Sequence, residues 1–463
     1  MGDKVRRPRL TELLDQELRR YQDEHPNSAR LHADADHLFG RVPMTWMGKW
    51  AGGFPLGFRA ARGAVVEDLD GHELVDFALG DTGAMAGHSP QPLVDAVARR
   101  LRDGGVTTML PTADAEWVAA ELARRFGLPQ WSFTLSATDA NRWVLRLARM
   151  VTGRPKILVF SYCYHGTVDE TFVIVDPATG RAVSRPGNAG PSVDPSETTR
   201  VVEFNDLAGL ERELAAGDVA AVLTEPALTN IGIVLPDPGF LTGVRQLCDD
   251  TGTLLVIDET HTFSAGPGGA THRWGLRPDA VTVGKSLGGG VPSGAYGLSD
   301  NFARRTLAAV ADGYDIVDVG GVGGTLAGNA LSLAAMRAVL GEVLTDEAFE
   351  HMETLATRFA HDVESTVAAA GLNWSVSQLG ARCEYRFAAP APRSGGASAA
   401  SADPALEDFL HLYAVNRGLL ITPFHNMALM CPATTAAQVD RHRQVFGEAV
   451  DLLVTSGALE GSP

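Results

Sequence analysis

The sequence has few cysteines and no apolar run that would cross a membrane. Only four of its 463 residues are cysteines, Cys163, Cys248, Cys383 and Cys431. No two of them form a C-x-x-C pair, which excludes a disulfide scaffold and a zinc framework and indicates reduced thiols in a cytoplasmic protein without a metal. The uncharged stretch at 319–336 contains too many glycines to span a bilayer, and the N-terminus lacks the apolar core of a secretory signal.

Basic residues are also fewer than acidic ones. The chain carries 39 Lys and Arg against 56 Asp and Glu, a formal net charge of −17, and it has no Lys/Arg-rich block. Nucleic acids and anionic lipids both attract proteins through a cationic footprint. The sequence therefore predicts neither a nucleic acid nor a membrane as a partner, and its length suggests a globular protein of about two or three domains.

Short apolar segments alternate with amphipathic helical segments through the middle of the chain. Examples are KILVF at 156–160, VAAVLT at 219–224 and TLLVID at 253–258. This alternation predicts an α/β fold with a mostly parallel, doubly wound sheet, in which ligands bind at the carboxyl ends of the strands. Two stretches rich in Gly, Pro and Ser, 177–199 and 391–404, interrupt it and predict mobile loops. It remains open whether the first is an active-site lid.

Polar residues that can carry out chemistry follow three of these predicted strands. Lys285 follows DAVTVG and precedes a run of glycines, where an amine in a partly desolvated cleft becomes a nucleophile toward an aldehyde. Asp258 ends TLLVID, where a carboxylate can hold a protonated heterocyclic nitrogen, although it can equally serve as a helix cap. Tyr164 follows KILVF and offers an aromatic face for stacking.

Two further segments are suited to binding phosphate. LSATDANRW reads as a strand end, a tight turn and a helix, and the first-turn N–H groups around Ala137 and Thr138 form a cradle for an anion. The negative charge of Asp139 would repel a phosphate there unless its side chain points away. In GGVGGTLAGN, the glycines and the hydroxyl of Thr325 offer contacts to another phosphate oxygen.

In this order, over about residues 40–450, the motifs resemble the class III aminotransferases of the fold type I pyridoxal-phosphate enzymes. The layout is most similar to glutamate-1-semialdehyde 2,1-aminomutase and its aminotransferase relatives. The resemblance implies pyridoxal 5′-phosphate as cofactor and a homodimer with shared active sites. It also implies a large cofactor-binding domain at 76–330 and a small α+β domain built from 1–75 and 331–463.

The resemblance also implies roles for individual residues. Lys285 matches the lysine that binds the cofactor covalently and later moves a proton, Asp258 matches the aspartate that pairs with the pyridine nitrogen, and Tyr164 matches the aromatic residue that stacks on the ring. The other implied cofactor contacts are Ser136, Ala137, Thr138, Glu225, Asn230 and, from the neighbouring subunit, Thr325.

The chain departs from the family pattern around the substrate. The usual N-S-G-T-E-A reads L-S-A-T-D-A, and His261 stands where relatives often have a glutamine that bonds the ring hydroxyl. In place of the aminomutase's N-terminal arginine, Lys49 is the nearest cation, beside Trp46, and His425 falls where relatives close the pocket. We expect these three residues to contact substrate.

We therefore expect an aminotransferase that moves an amino group between an amino acid or amine and a carbonyl acceptor by a ping-pong mechanism through Lys285. An intramolecular aminomutase or an amino-acid racemase would use the same residues. A cofactor-binding module without catalysis is a further alternative, although it would not need the lysine.

Overall fold

The structure is a computed structural model that describes residues 3–190 and 193–461. In chain order the strands are β1 (Lys4–Val5), β2 (Phe58–Arg62), β3 (Val65–Asp68), β4 (Glu73–Asp76), β5 (Gln130–Thr134), β6 (Lys156–Phe160), β7 (Val173–Val175), β8 (Ala182–Ser184), β9 (Thr199–Val202), β10 (Val219–Thr224), β11 (Leu254–Asp258), β12 (Ala280–Val283), β13 (Gly294–Leu298), β14 (Ser375–Leu379), β15 (Arg382–Arg386), β16 (Leu419–Leu420), β17 (Met427–Leu429) and β18 (Leu459–Glu460). The helices are α1 (Arg7–Glu24), α2 (Pro26–Ala33), α3 (Gln91–Arg99), α4 (Ala113–Phe126), α5 (Ala137–Thr152), α6 (Leu207–Leu214), α7 (Phe240–Thr251), α8 (Gly269–Arg273), α9 (Asp300–Ala311), α10 (Ala330–Ala338), α11 (Asp346–Ala369), α12 (Gly395–Ala400), α13 (Pro404–Val415) and α14 (Ala436–Thr455). Within these described ranges no helix combines the length and apolarity needed to cross a membrane.

The larger of two compact units contains Gln91–Asp346 and Arg393–Ala400. Its seven-stranded sheet has the order β5-β13-β12-β11-β10-β6-β9, and neighbours pair in parallel except where β13 pairs with β12 and β5. Strands β10, β11 and β12 are buried along their whole length, as expected for parallel strands covered by helices. The predicted α/β fold with a mostly parallel sheet is confirmed.

The smaller unit joins both ends of the chain: Met1–Pro90, Glu347–Pro392 and Ser401–Pro463. It contains the antiparallel sheet β14-β15-β17 and the sheet β16-β4-β3-β2, and its helix α1 packs on α13. β3 and β4 form an antiparallel hairpin around Asp70-Gly71, a dipeptide that is typical of tight hairpin turns. The predicted domain limits, with 76–330 as the large domain, remain a prediction.

Arg382, Glu384 and Arg386 alternate along β15. In the sequence alone this alternation predicts a solvated charged face, but all three side chains are buried. The reason is that β15 is the central strand of its sheet, between β14 and β17. Arg382 donates a hydrogen bond to the hydroxyl of Thr82. Period-two alternation marks a face, but it does not show what covers that face.

The two predicted loops contain regular structure. The first, 177–199, contains β8, which pairs with β7, and the second, 391–404, contains α12. Positions 191–192 of the first loop lie outside the described residues. Its role as an active-site lid remains a prediction.

Candidate active site

Four parallel strands of the larger unit end at one edge of its sheet, and functional residues follow each of them. In the order β12-β11-β10-β6, these strands lead into Lys285, Asp258, Glu225 and the Tyr164–His165 pair. Because adjacent parallel strands lie only about 4.8 Å apart, their carboxyl ends collect these side chains in one place. The structure thus brings together residues that are up to 121 positions apart (285 minus 164).

Asp258 is held as a carboxylate by a network of donors. Its Oδ2 accepts hydrogen bonds from Asn141 Nδ2 at 2.8 Å and from His165 Nδ1 at 2.9 Å, and its Oδ1 accepts one from the Thr260 N–H at 3.0 Å. Burial alone would raise the pKa of Asp258, but the hydrogen bond and charge of His165 lower it to about 2. A permanently ionised oxygen pair is therefore available to hold a protonated ring nitrogen.

His165 and Asn141 are site residues that the sequence analysis did not identify. Burial opposes a charge on the His165 ring, yet Cys163 and Asp258 together raise its pKa above the ordinary histidine value. Asn141 also donates to the His165 carbonyl at 3.2 Å, and its Oδ1 accepts from the Thr282 hydroxyl at 2.6 Å. These contacts fix the orientation of the carboxylate, which makes both residues positioning groups for Asp258.

Lys285 has an unusual backbone conformation for a residue with a side chain. Its φ of 47° lies in the left-handed region, where a Cβ costs on the order of 1 kcal/mol, and such strain is concentrated at functional sites. Its Nζ lies 2.6 Å from Nε2 of His261. Which of the two nitrogens donates in this contact depends on the tautomer of the imidazole. The predicted bond from His261 to the ring hydroxyl remains a prediction.

The N-terminus of α5 forms a tight cradle. Ser136 caps this helix by accepting from the Asp139 N–H at 3.2 Å, and its hydroxyl lies 3.1 Å from the Asp139 carboxylate, which is thereby engaged with the cap. The first-turn N–H groups of Ala137 and Thr138 have no acceptor within the helix and favour an anion. Gly166, at φ 75°, packs so closely that a Cβ would lie 2.0 Å from the Thr138 hydroxyl.

The other predicted cofactor contacts lie at nearby strand ends or on the surface. Tyr164 is half-buried and meets Phe172 edge to face, with ring centroids 6.1 Å apart. Glu225 is buried, which raises its pKa to about 7, and it accepts hydrogen bonds from the backbone and hydroxyl of Thr229. Thr325 is exposed in the segment that precedes α10.

In the smaller unit, the three predicted substrate residues cluster with Phe424. The Nζ of Lys49 lies 5.5 Å from the centroid of that ring, and Trp46 meets the ring edge to face at 5.7 Å. His425 follows Phe424 in sequence, and its Nδ1 lies 3.5 Å from an oxygen of the buried Glu384. Their contact with substrate remains a prediction.

These residues fit pyridoxal 5′-phosphate. An amine, an ionised carboxylate and an anion cradle converge at one edge of the sheet, and the close glycine at Gly166 leaves the cradle open. When bound, this cofactor supplies an aldehyde that reacts with amines and a ring that withdraws electrons. Lys285 would hold the aldehyde carbon, Asp258 the ring nitrogen, and the α5 N-terminus the phosphate.

Fold and site together define a fold type I pyridoxal-phosphate enzyme. The model of the family "Aminotransferase class-III" matches residues 47–450, and the chain belongs to that family. A glutamate-1-semialdehyde 2,1-aminomutase of Desulforudis audaxviator is 33% identical over 439 residues, which cover 92% of this chain and 98% of the relative.

Solved structures show the same likeness. The crystal structure of a glutamate-1-semialdehyde-aminomutase from Pseudomonas aeruginosa PAO1 is 48% identical and has a TM-score of 0.95, covering 98% of this chain and 100% of that one. A lysine-to-alanine variant of that enzyme was solved in complex with PMP. A β-phenylalanine aminotransferase from Variovorax paradoxus is 27% identical, with a TM-score of 0.84 over 98% of this chain and 100% of that one.

Proposed function

We propose that the protein is an intramolecular aminomutase whose substrate is an α-amino aldehyde with a distal carboxylate, of the glutamate-1-semialdehyde type. The reaction would exchange the amino group and the carbonyl oxygen between adjacent carbons. The observation that carries this proposal is the 48% identity, over essentially the whole of both chains, to an enzyme described as an aminomutase. It favours the alternative reaction over the intermolecular transfer expected from the sequence.

The residues of the chain have direct roles in such an exchange. The Lys285 amine is positioned by His261 and would take a proton from one substrate carbon and return it elsewhere. Asp258, oriented by His165 and Asn141, would keep the ring nitrogen protonated throughout. Nothing in these roles requires a second substrate, so a single compound that stays in the site can pass through both halves of the reaction.

The test is to incubate the purified protein, loaded with its cofactor, with glutamate-1-semialdehyde and no other amine or carbonyl compound. We expect formation of 5-amino-4-oxopentanoate, in which the two groups have exchanged places, over many turnovers. A ¹⁵N label in the substrate should remain in the product even when unlabelled amino acids are added. Turnover that stops after one equivalent and resumes only with an added amino donor or acceptor would contradict a mutase.

Intermolecular transamination is the second candidate. The likeness to a β-phenylalanine aminotransferase favours it, and the departures at Leu135, Ala137 and Asp139 from the family's usual phosphate-turn sequence leave the reaction type open. The label experiment separates the two, because transamination would dilute ¹⁵N into the added amino acids. A racemase would interconvert substrate enantiomers without moving nitrogen, and a non-catalytic module would do neither.

We also propose that the enzyme is a homodimer of the cytoplasm. The larger unit exposes several large apolar side chains in two segments, 106–110 and 317–326: Val106, Met109, Leu110, Val317, Val319 and Leu326. The start of α10, directly after the second segment, is joined to the first by a 3.0 Å hydrogen bond from the Ala330 N–H to the Val106 carbonyl. A second copy would bury this surface and receive Thr325, which lies in it, at its own phosphate site. The four buried, unpaired cysteines support a reducing compartment.

Thr325→Ala should raise the dissociation constant of the cofactor about 10-fold, because one hydrogen bond to a charged phosphate is lost. Thr354→Ala, at another exposed threonine, is the matched control and should change nothing. Cofactor affinity is measured by titration of the apoenzyme followed by absorbance.

A mixed dimer shows whether Thr325 acts across the interface. Pairing a Thr325→Ala chain with a Lys285→Ala chain leaves one site with both its own Lys285 and a partner's Thr325. That site should bind cofactor covalently with wild-type affinity. If its affinity equals that of the Thr325→Ala homodimer, Thr325 acts within its own chain or not at all.

A further inference from the structure

Arg185 is a half-buried cation without a carboxylate partner among residues 3–190 and 193–461. Arg200 and Arg245 of the larger unit are ion-paired, the first with Asp218 and Glu213 and the second with Asp279. Arg185 is held instead by neutral groups. A guanidinium has five N–H donors and keeps its charge at all physiological pH values, so such a position favours the arrival of an anion.

Three neutral contacts orient the guanidinium. Its Nη1 donates to the Cys163 carbonyl at 3.3 Å, and its central carbon lies 5.6 Å from the centroid of the Tyr162 ring. With its amide turned so that the oxygen faces the cation, Asn230 accepts from both Nη1 and Nη2 at 3.3 Å. The side chain is therefore placed before a ligand binds, which lowers the entropic cost of binding.

The backbone of Arg185 is fixed as well. The residue directly follows β8, which pairs with β7, and its N–H donates to the Phe172 carbonyl at 2.9 Å. Its own carbonyl accepts from the Asn188 N–H at 3.0 Å. The position of the cation thus rests on a strand ladder and a turn.

These contacts tie Arg185 to the active-site edge of the sheet. Cys163 and Tyr162 belong to the segment after β6 that carries Tyr164 and His165, and Asn230 lies in the segment after β10 that begins with Glu225. In the order β12-β11-β10-β6, Arg185 therefore lies on the far side of Asp258 from Lys285. The strands that lead to the contacts of Arg185 lie two or three inter-strand spacings, of about 4.8 Å each, from the strand that leads to Lys285.

We propose that Arg185 binds the substrate's distal carboxylate and so selects substrates in which that group lies several bonds from the reacting amine. The identity of the substrate in this inference rests on the proposed function. Carboxylate binding by Arg185 does not, because it requires only that an amine with a carboxylate enters the active site. Arg185, rather than Lys49, is then the cation that faces the substrate carboxylate. A planar fork of donors binds a carboxylate through two hydrogen bonds, which a lysine cannot reproduce.

The test compares two amines of equal length, 5-aminopentanoate and pentylamine, titrated into the holoenzyme while the visible absorption of the cofactor is followed. Arg185→Gln should raise the dissociation constant of 5-aminopentanoate about 10- to 100-fold, the loss expected for hydrogen bonds to a charged group, and leave that of pentylamine unchanged. Arg185→Lys should fall in between. Arg181→Gln removes the same charge from an exposed position of the same hairpin and should have no effect.

Several outcomes overturn the proposal. One is equal affinity of the wild type for both amines, and another is an equal loss for both amines in Arg185→Gln, which indicates a structural role. A third is an effect of Arg181→Gln as large as that of Arg185→Gln. Failure of the wild type to isomerise glutamate-1-semialdehyde would refute the aminomutase alone, because the amine titration requires no turnover.

Discussion

Lys285→Ala should lower turnover by at least about 10⁴-fold, because it would remove both the proposed nucleophile for the cofactor and the proposed base for the substrate proton. The structure adds a reason why no neighbour would replace it. The amine lies 2.6 Å from Nε2 of His261, and an imidazole does not form the same stable covalent link with an aldehyde. Reduction of the holoenzyme with borohydride, followed by mass spectrometry, should show covalent attachment of the cofactor in the wild type and none in the variant.

Two controls separate this chemical role from damage to the fold. Lys285→Arg keeps the positive charge, and both variants keep a side chain at the strained φ of 47°, so thermal unfolding should change by only a few degrees. Added methylamine should restore part of the activity of Lys285→Ala, since a small amine fits the space that the side chain leaves. Full activity of either variant without added amine would refute the assignment of Lys285.

The sequence predicts those parts of the site whose position depends only on the pattern of neighbouring residues. Strands β6 and β10 have the predicted limits because each is an apolar run ended by polar residues, and Asp258 and Lys285 are the polar residues next to such ends. Because parallel strands bring their carboxyl ends together, locating these ends in the sequence was enough to predict that Asp258 and Lys285 lie close to each other. The alternation of strands and helices fixed the fold class in the same way.

Residues whose roles depend on distant partners could not be found by this reasoning. His165 and Asn141 act through Asp258, which is 93 and 117 positions away, and Arg185 derives its position from a hairpin and from Asn230. The burial of Arg382 likewise depends on the strands on either side of β15. In each case the sequence pattern is local, while the physical cause is a contact that only the folded chain creates.

Asp258→Asn should lower turnover about 10²- to 10³-fold while the protein still folds and binds its cofactor. The amide cannot hold a proton on the ring nitrogen as a carboxylate does, and one fixed electrostatic contact of this kind is worth roughly that factor. The variant should still link the cofactor to Lys285, so that covalent attachment is retained and the rate is lost. Asp279→Asn is the control, because Asp279 is a half-buried, ion-paired carboxylate just before β12, at the opposite end of the strand from Lys285.

The effect of Asp258→Asn on the stability of the fold should depend on pH. The pKa of Asp258 is about 2 in the folded chain and 3.8 ordinarily, so the ionised carboxylate stabilises the fold above about pH 4, and this contribution is lost as pH falls through 2. The substitution should also lower the raised pKa of His165, because burial opposes the imidazolium and Cys163 would then favour it without the help of the Asp258 charge. Urea unfolding should therefore show Asp258→Asn to be less stable than the wild type at pH 7, with a smaller difference at pH 3. Equal stability of the two proteins at pH 7 would mean that the His165–Asp258 pair does not stabilise the fold. Normal turnover of Asp258→Asn would contradict the contact between Asp258 and the ring nitrogen.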